Sequence, residues 1–343
     1  MTPYEEELSK LQNSLNRAAS AELTKLKSAI AGASQFSLIA VGSGGSFTVA
    51  SLLCSLHEAY TGRVSRSITP LELICNPTLA ATSPIFIISA EGKNPDILEA
   101  LKRAREHSSR AVHVITNRHT SPLMALAATL NDVTSHVFEL SDKDGYLATN
   151  SLILDASLVA RAFSELDRQK PVSLDLQSIR YLGLPLDEFL NTAREFVAQT
   201  ANKRGLIIVF SPKLRPIAED LESKFSESAL LFSQLADFRS FAHGRHLWLT
   251  ERTRDCALLV LTEPSTEALW LDMKPQIPDA VPIFTVPMPG STPDDLITGL
   301  VAGMHLVSRI ANESKRNIAK PNVSPLGRQL YYAELSSLIP PPQ

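Results

Sequence analysis

Short apolar runs ended by Gly, Ser or Pro, each followed by a stretch with helical spacing, recur along this 343-residue chain. Residues 36–41, 84–88, 111–116 and 136–140 are rich in β-branched and aromatic side chains and predict strands. Between them, 47–60 and 95–107 predict helices, the second with Ile97, Leu98, Leu101 and Ala104 on one face. This alternation predicts a parallel, doubly wound sheet. An apolar helix over 148–166 closes the half, and the polar, Pro-containing stretch 167–173 reads as a linker. The pattern then restarts: helix 186–201, strand 206–210, the turn Ser211-Pro212-Lys213, a helix from Arg215, strands 256–261 and 281–286, and a last long helix over 294–313. Ahead of both halves, residues 5–31 predict a helix, with Leu8, Leu11, Leu15, Ala18, Leu23 and Leu26 near helical spacing, to pack on the domain or on a partner subunit. The predicted class is α/β, with two tandem doubly wound parallel-sheet domains built as α-β-α sandwiches. Their expected bounds are 35–167 and 168–320, with a helical lead-in at 1–34 and a tail at 321–343. The halves share an order of elements rather than a repeated sequence.

Two turns carry the candidate chemistry of the first half. The first strand runs into Gly42-Ser43-Gly44-Gly45-Ser46, and the second apolar run into Ser89-Ala90-Glu91-Gly92-Lys93-Asn94. A strand that ends in Gly and Ser and reopens as a helix exposes amide N–H groups and hydroxyls beside a positive helix terminus, a place for an anion or a polyhydroxylated ligand. Phe47 stands where a dinucleotide fingerprint needs its third glycine, and no Gly-Lys-Ser/Thr of a P-loop occurs.

Composition narrows the partners. With 44% hydrophobic residues, mean hydropathy near zero and a formal charge of −3, the chain reads as globular, without the basic field that nucleic acid requires. Small neutral or anionic metabolites fit better. Cys54, Cys75 and Cys256 are odd in number and far apart, so reduced buried thiols are expected rather than disulfides or a metal site. No apolar run approaches the ~20 residues of a membrane span. The acidic start, Tyr4-Glu5-Glu6-Glu7, is unlike a signal peptide, and a cytoplasmic location is expected.

Val41 to Phe47 and Ile88 to Ile97 resemble the two signature turns of the sugar isomerase (SIS) domain family, and Val114-Ile115-Thr116-Asn117 resembles the strand end that follows them. The whole chain is similar to tandem SIS proteins of the glucosamine-6-phosphate synthase isomerase type, whose domains are flavodoxin-like. In the second half Lys224-Phe225-Ser226-Glu227, then His243-Gly244, then Arg316-Asn317-Ile318-Ala319-Lys320 match the family's committed positions in order. The resemblance implies an aldose-ketose isomerase or an aminosugar deglycase or deaminase acting through an open-chain enediol or imine. His243 would open the ring, Glu227 would shuttle the proton, Lys224 would stabilise the enediolate and Lys320 would cover the site or form a Schiff base. Ser43, Gly44, Gly45, Ser46, Ser89, Glu91, Lys93, Asn94, Thr149, Arg239 and Arg245 would bind the sugar or sugar phosphate. No cofactor, metal, nucleic acid or membrane is expected, and the resemblance implies a homodimer.

Plainer readings stand beside these. At ~100° per residue, Leu214, Ile217, Leu221 and Phe225 form an apolar stripe that contains Lys224, with Glu227 at its rim, so the two can also be a helix-stabilising ion pair. His243 can be a satisfied structural histidine or, with His246, half of a metal site, and Arg239 and Arg245 can be surface charges or anion clamps. The second turn also departs from the family's Ser-Gln-Ser-Gly-x-Thr at Ala90, Glu91 and Asn94, and an ionised Glu91 would repel phosphate unless Lys93 compensates. The family's Glu-Leu-Lys-His-Gly-Pro is Ser240 to Arg245 here, and Ala148-Thr149-Asn150 keeps only the Thr of Ser-Thr-Lys. A non-catalytic sugar-binding regulator is the alternative function.

Overall fold

The computed structural model describes residues 1–141, 143–168, 175–290 and 292–333. Most of the linker expected at 167–173, and the end of the tail, lie outside the described residues. The chain divides into two compact units, Met1–Ala19 with Pro171–Ala319, and Ser20–Lys170 with Lys320–Gln343. They are called here the four-stranded and the five-stranded unit.

The helix expected over 5–31 is three: α1 (Pro3–Leu8), α2 (Leu11–Ser20) and α3 (Thr24–Ala33). The second break falls where the Glu22 carboxylate accepts from both the amide and the hydroxyl of Thr24, fixing a new helix start. The five-stranded unit then runs β1 (Ile39–Val41), α4 (Gly45–Thr61), β2 (Arg66–Ile68), α5 (Pro70–Cys75), β3 (Ile85–Ile88), α6 (Pro95–His107), β4 (Val112–Thr116), α7 (Pro122–Ala127), β5 (Val133–Val137) and α8 (Asn150–Leu166). All strands are parallel, in the order β2-β1-β3-β4-β5. One face of the sheet, Ile39, Val41, Ile85, Ile87, Val112 and Val114, is buried under α5, α6 and α7. Helix α4 packs on β1 to β3 from the other face, and α8 packs on α4.

The edge strands are the least legible: β2 has no apolar run to predict it, and β5 is predicted only in part. β2 buries only Ile68. β5 begins at Val133, opposite Val112, earlier than the expected 136–140, because Thr134 and Ser135 interrupt its apolar pattern.

The four-stranded unit holds the hairpin β6 (Arg180–Tyr181) and β7 (Leu184–Pro185), then α9 (Leu186–Thr192), α10 (Arg194–Thr200), β8 (Gly205–Phe210), α11 (Arg215–Glu227), β9 (Phe232–Asp237), α12 (Phe238–Ser240), α13 (Leu247–Glu251), β10 (Cys256–Thr262), α14 (Pro264–Met273), β11 (Ile283–Pro287) and α15 (Pro293–Glu313). A last helix, α16 (Pro325–Tyr331), belongs to the five-stranded unit. The helix expected at 186–201 breaks at Ala193, and edge strand β9, Phe-Ser-Gln-Leu-Ala-Asp, carries too little apolar pattern to be read. The parallel order is β11-β10-β8-β9. The structure is therefore α/β with two parallel sheets. Among the described residues no helix is long and apolar enough to cross a membrane. Cys54 and Cys256 are buried, whereas Cys75, the last residue of α5, faces solvent, contrary to expectation.

Two buried titrating sets oppose each other in the five-stranded unit. His136 Nε2 lies 3.4 Å from His113 Nδ1, and the His113 ring lies 4.7 Å from the Phe86 ring at a tilt of 33°. Burial pushes both imidazoles from 6.5 down to about 4. Their folded pKa lies below the unfolded one, so their contribution is complete above 6.5 and drains as pH falls toward 4. At about 1.4 kcal/mol per pKa unit this is a few kcal/mol each. Asp155 of α8 runs the other way: burial raises it from 3.8 to about 7, against a 2.7 Å hydrogen bond from Asn117 Nδ2. Its cost therefore grows as pH rises from 3.8 through 7. Chemical denaturation across this range should show His113→Phe removing about half of the acid-side loss, and Asp155→Asn raising stability above neutral pH.

Candidate functional site

In a parallel order β2-β1-β3-β4-β5 the chain winds one way from β1 and the other way from β3, so the helices that follow these neighbours leave on opposite faces and open a crevice at their carboxyl ends. The two candidate turns sit there. Gly44 has φ +54° and no side chain caps α4. Ser46 N and Phe47 N donate to Ser43 O at 3.2 Å and Gly44 O at 2.8 Å, which leaves the Gly45 amide without an acceptor among the described residues. A Cβ on Gly45 would meet the Ala148 Cβ at 2.3 Å, so the start of α4 lies directly against the segment leading into α8. Ser43 and Gly44 are exposed, and Gly45 and Ser46 are half-buried.

The second turn is organised by itself. Ser89 Oγ accepts from the Gly92 amide at 3.2 Å, and Asn94 caps α6 by accepting from Asp96 N at 2.8 Å. Glu91 is held by a residue the sequence reading missed. Arg118, just past β4, reaches Glu91 Oε1 through Nε at 2.9 Å and Nη2 at 2.5 Å, while Lys93 lies 3.4 Å from Oε2. Partial burial alone would raise the Glu91 pKa, yet the Arg118 hydrogen bonds and charge, with Lys93, carry it below the usual carboxylate range. The three side chains sum to one positive charge, so the turn does not present the bare negative charge expected of Glu91. A charged residue just beyond the carboxyl end of β4, beside β3, is the signal that points to Arg118.

Thr149 is fully buried, and its partner is another missed residue. Asp144 accepts from the amides of Thr149, Asn150 and Ser151 at 3.0, 2.9 and 3.0 Å and from the hydroxyls of Thr149 and Ser151 at 3.0 and 2.5 Å. An internal carboxylate therefore occupies the amino end of α8, where an anion would otherwise sit.

The four-stranded unit has the equivalent crevice between β8 and β10, and it is filled. Glu263, past β10, is buried and accepts from Ser211 Oγ, past β8, at 2.9 Å and from Ser265 Oγ. The remaining candidates of this unit lie elsewhere. Lys224 is 3% exposed, and its Nζ pairs with Asp220 Oδ1 at 2.5 Å, one turn back on α11. The ion-pair partner is thus Asp220 rather than Glu227. Glu227 is exposed at the end of α11 and accepts from Ser223 Oγ. Protein around its carboxyl still strips enough hydration to raise its pKa, against the Ser223 hydrogen bond and the Lys224 charge. His243 is exposed and makes no hydrogen bond within the described residues, in the π-helical segment Phe241–Arg245. Gly244 there has φ +137°, a conformation that L side chains rarely adopt. Arg239 and Arg245 are exposed and have no carboxylate partner among the described residues. No hydrogen bond or ion pair joins Lys224, Glu227 and His243 to one another. Lys320 belongs to the other unit. Among the described residues no three His, Cys, Asp or Glu side chains gather as a metal site.

No protein-family model and no curated protein sequence matches the chain. Solved structures do. The tagatose-6-phosphate ketose/aldose isomerase of Escherichia coli superposes with a TM-score of 0.70 at 15% identity, covering 94% of this chain and 95% of that one. The chain has its fold. The C-terminal domain of glucosamine-fructose-6-phosphate aminotransferase from Francisella tularensis gives 0.66 at 13%, covering 93% and 98%. Glucosamine-6-phosphate deaminase from Thermotoga maritima gives 0.66 at 12%, covering 94% and 98%. Fold is thus shared nearly end to end while the sequence has diverged, so roles must be argued from this chain's own side chains.

The buried Lys224–Asp220 pair makes a direct test of what Lys224 does for the fold. Lys224→Met alone should cost about 3–5 kcal/mol in urea denaturation by removing the cation that pairs with the buried Asp220 carboxylate, and Lys224→Met with Asp220→Leu should recover most of it.

Proposed function

We propose that the chain is a tandem SIS protein that binds a sugar or sugar phosphate and moves a proton between C1 and C2 of the open-chain form. The observation that carries this reading is Glu227, an accessible carboxyl whose pKa is raised, on the same helix as a buried lysine. A carboxyl whose pKa is raised by lost hydration is a better proton acceptor than an ordinary carboxylate, which suits taking and returning a carbon-bound proton. The shared fold and the two turns at the β1/β3 crevice support the ligand class.

In this scheme the Gly45 amide and the hydroxyls of Ser43 and Ser46 bind the sugar in the five-stranded unit, where Arg118 with Lys93 balances Glu91. His243 donates to the ring oxygen on opening, and Glu227 lifts the proton and returns it to the adjacent carbon. Lys224 lends charge to the enediolate at the expense of its pair with Asp220, while Arg239 and Arg245 supply cations on the His243 segment. Lys320 covers the site or condenses with the carbonyl, losing water to form an imine. The chain acts as a homodimer in this reading. A sensory role is the second reading, favoured by one observation: the Lys224 ammonium is already engaged by Asp220 at 2.5 Å.

Glu227→Gln should abolish solvent-deuterium incorporation at C2 of a substrate sugar while leaving binding nearly unchanged. Exchange that persists in this variant removes Glu227 as the base, and a panel of sugars without any turnover favours the sensor. Titration calorimetry should show Glu91→Gln tightening phosphorylated over neutral sugars by about tenfold, because it frees the Arg118 guanidinium.

A further inference from the structure

A second cavity lies within the four-stranded unit, between the start of α1 and the end of α15, with a volume of about 420 Å3. That is within the usual range for small-molecule sites. Three independent features of its wall remain unexplained by the fold.

The first is Lys315. Helix α15 ends in a Schellman turn, with Lys315 N donating to Asn312 O at 3.0 Å and Arg316 N to Ala311 O at 2.9 Å. The residue at the left-handed position of that turn is ordinarily Gly or Asn. Here it is Lys315, at φ +53°. A side chain is retained where backbone geometry argues against one, and an outlier of that kind points to a use for the side chain.

The second is charge. Lys315 and Arg316 both line the cavity, are exposed and have no carboxylate partner among the described residues. The nearby carboxylate is Glu5, and its oxygens are taken by Asn312 Nδ2 at 2.7 Å and Thr2 N at 2.6 Å. The wall is net positive.

The third is Ser308. It is 4% exposed, lines the cavity, and its hydroxyl has no hydrogen-bond partner among the described residues. A buried hydroxyl left unsatisfied is costly, and an acceptor brought by a ligand would satisfy it. Buried Tyr4, Ala311 and Ile318 add an apolar floor.

We infer that this cavity is a second ligand site, for a small phosphorylated metabolite whose phosphate is held by Lys315 and Arg316 and accepts from the Ser308 hydroxyl, its carbon frame resting on the apolar floor. Two adjacent cations and a hydroxyl donor suit a phosphate dianion.

Hydrogen-exchange mass spectrometry at constant ionic strength, with inorganic phosphate and with glucose 6-phosphate as probes, tests this. Glucose 6-phosphate should slow exchange over residues 2–5 and 308–318, and inorganic phosphate should do so more weakly because it cannot use the floor. Lys315→Asn suits the left-handed turn, so it should leave the melting temperature unchanged or higher while weakening that protection about tenfold or more. Ser308→Ala should raise the melting temperature of the unliganded protein and also weaken the protection. Protection confined to residues 42–46 and 89–94, or protection at 308–318 that survives Lys315→Asn undiminished, would overturn the proposal. Neither result bears on Glu227, so this site and the proposed chemistry stand or fall separately.

Discussion

Parallel strands impose one constraint from which the rest of the five-stranded unit follows. All their carboxyl ends lie along one edge, so loops from strands distant in sequence are delivered to the same place. Because β1 sends its helix to one face and β3 to the other, the gap between them cannot be filled by either helix. The Gly42–Ser46 and Ser89–Asn94 turns, Arg118 from β4 and the segment leading into α8 all reach this edge as a result of topology, although they are spread over about a third of the chain.

The four-stranded unit obeys the same constraint and resolves it differently. Its crevice between β8 and β10 is closed by the Glu263 carboxyl and two serine hydroxyls, with no glycine-rich turn to keep it open. Lys224 and Glu227 are instead presented by α11, and His243 by the irregular segment after β9. One sheet keeps its strand-end gap free, and the other has its gap filled.

Central elements were legible because burial on both faces forces continuous apolar runs, as in β3, β4, β8 and β10. Edge strands β2 and β9 were not, since one side of each meets solvent and polar residues are tolerated. Helix α6 was read to its bounds because Asn94 and Pro95 mark its start in the sequence. At the site, the residues that matched a motif were visible, while their partners were not. Asp220 for Lys224, Arg118 for Glu91 and Asp144 for Thr149 are chosen by three-dimensional proximity. Of these only Asp220, at i−4, lies at a spacing that the sequence itself can suggest.

The carboxylate of Asp144 has a consequence for direction. A bare helix start carries roughly half a positive charge, and α4 keeps it. At α8 a full negative charge sits on a similar half charge, so the sign there is reversed. Gly45 and Ala148 touch, which sets these two poles side by side. The crevice is therefore polarised along its length, and a ligand with unlike ends has only one way round in which to lie.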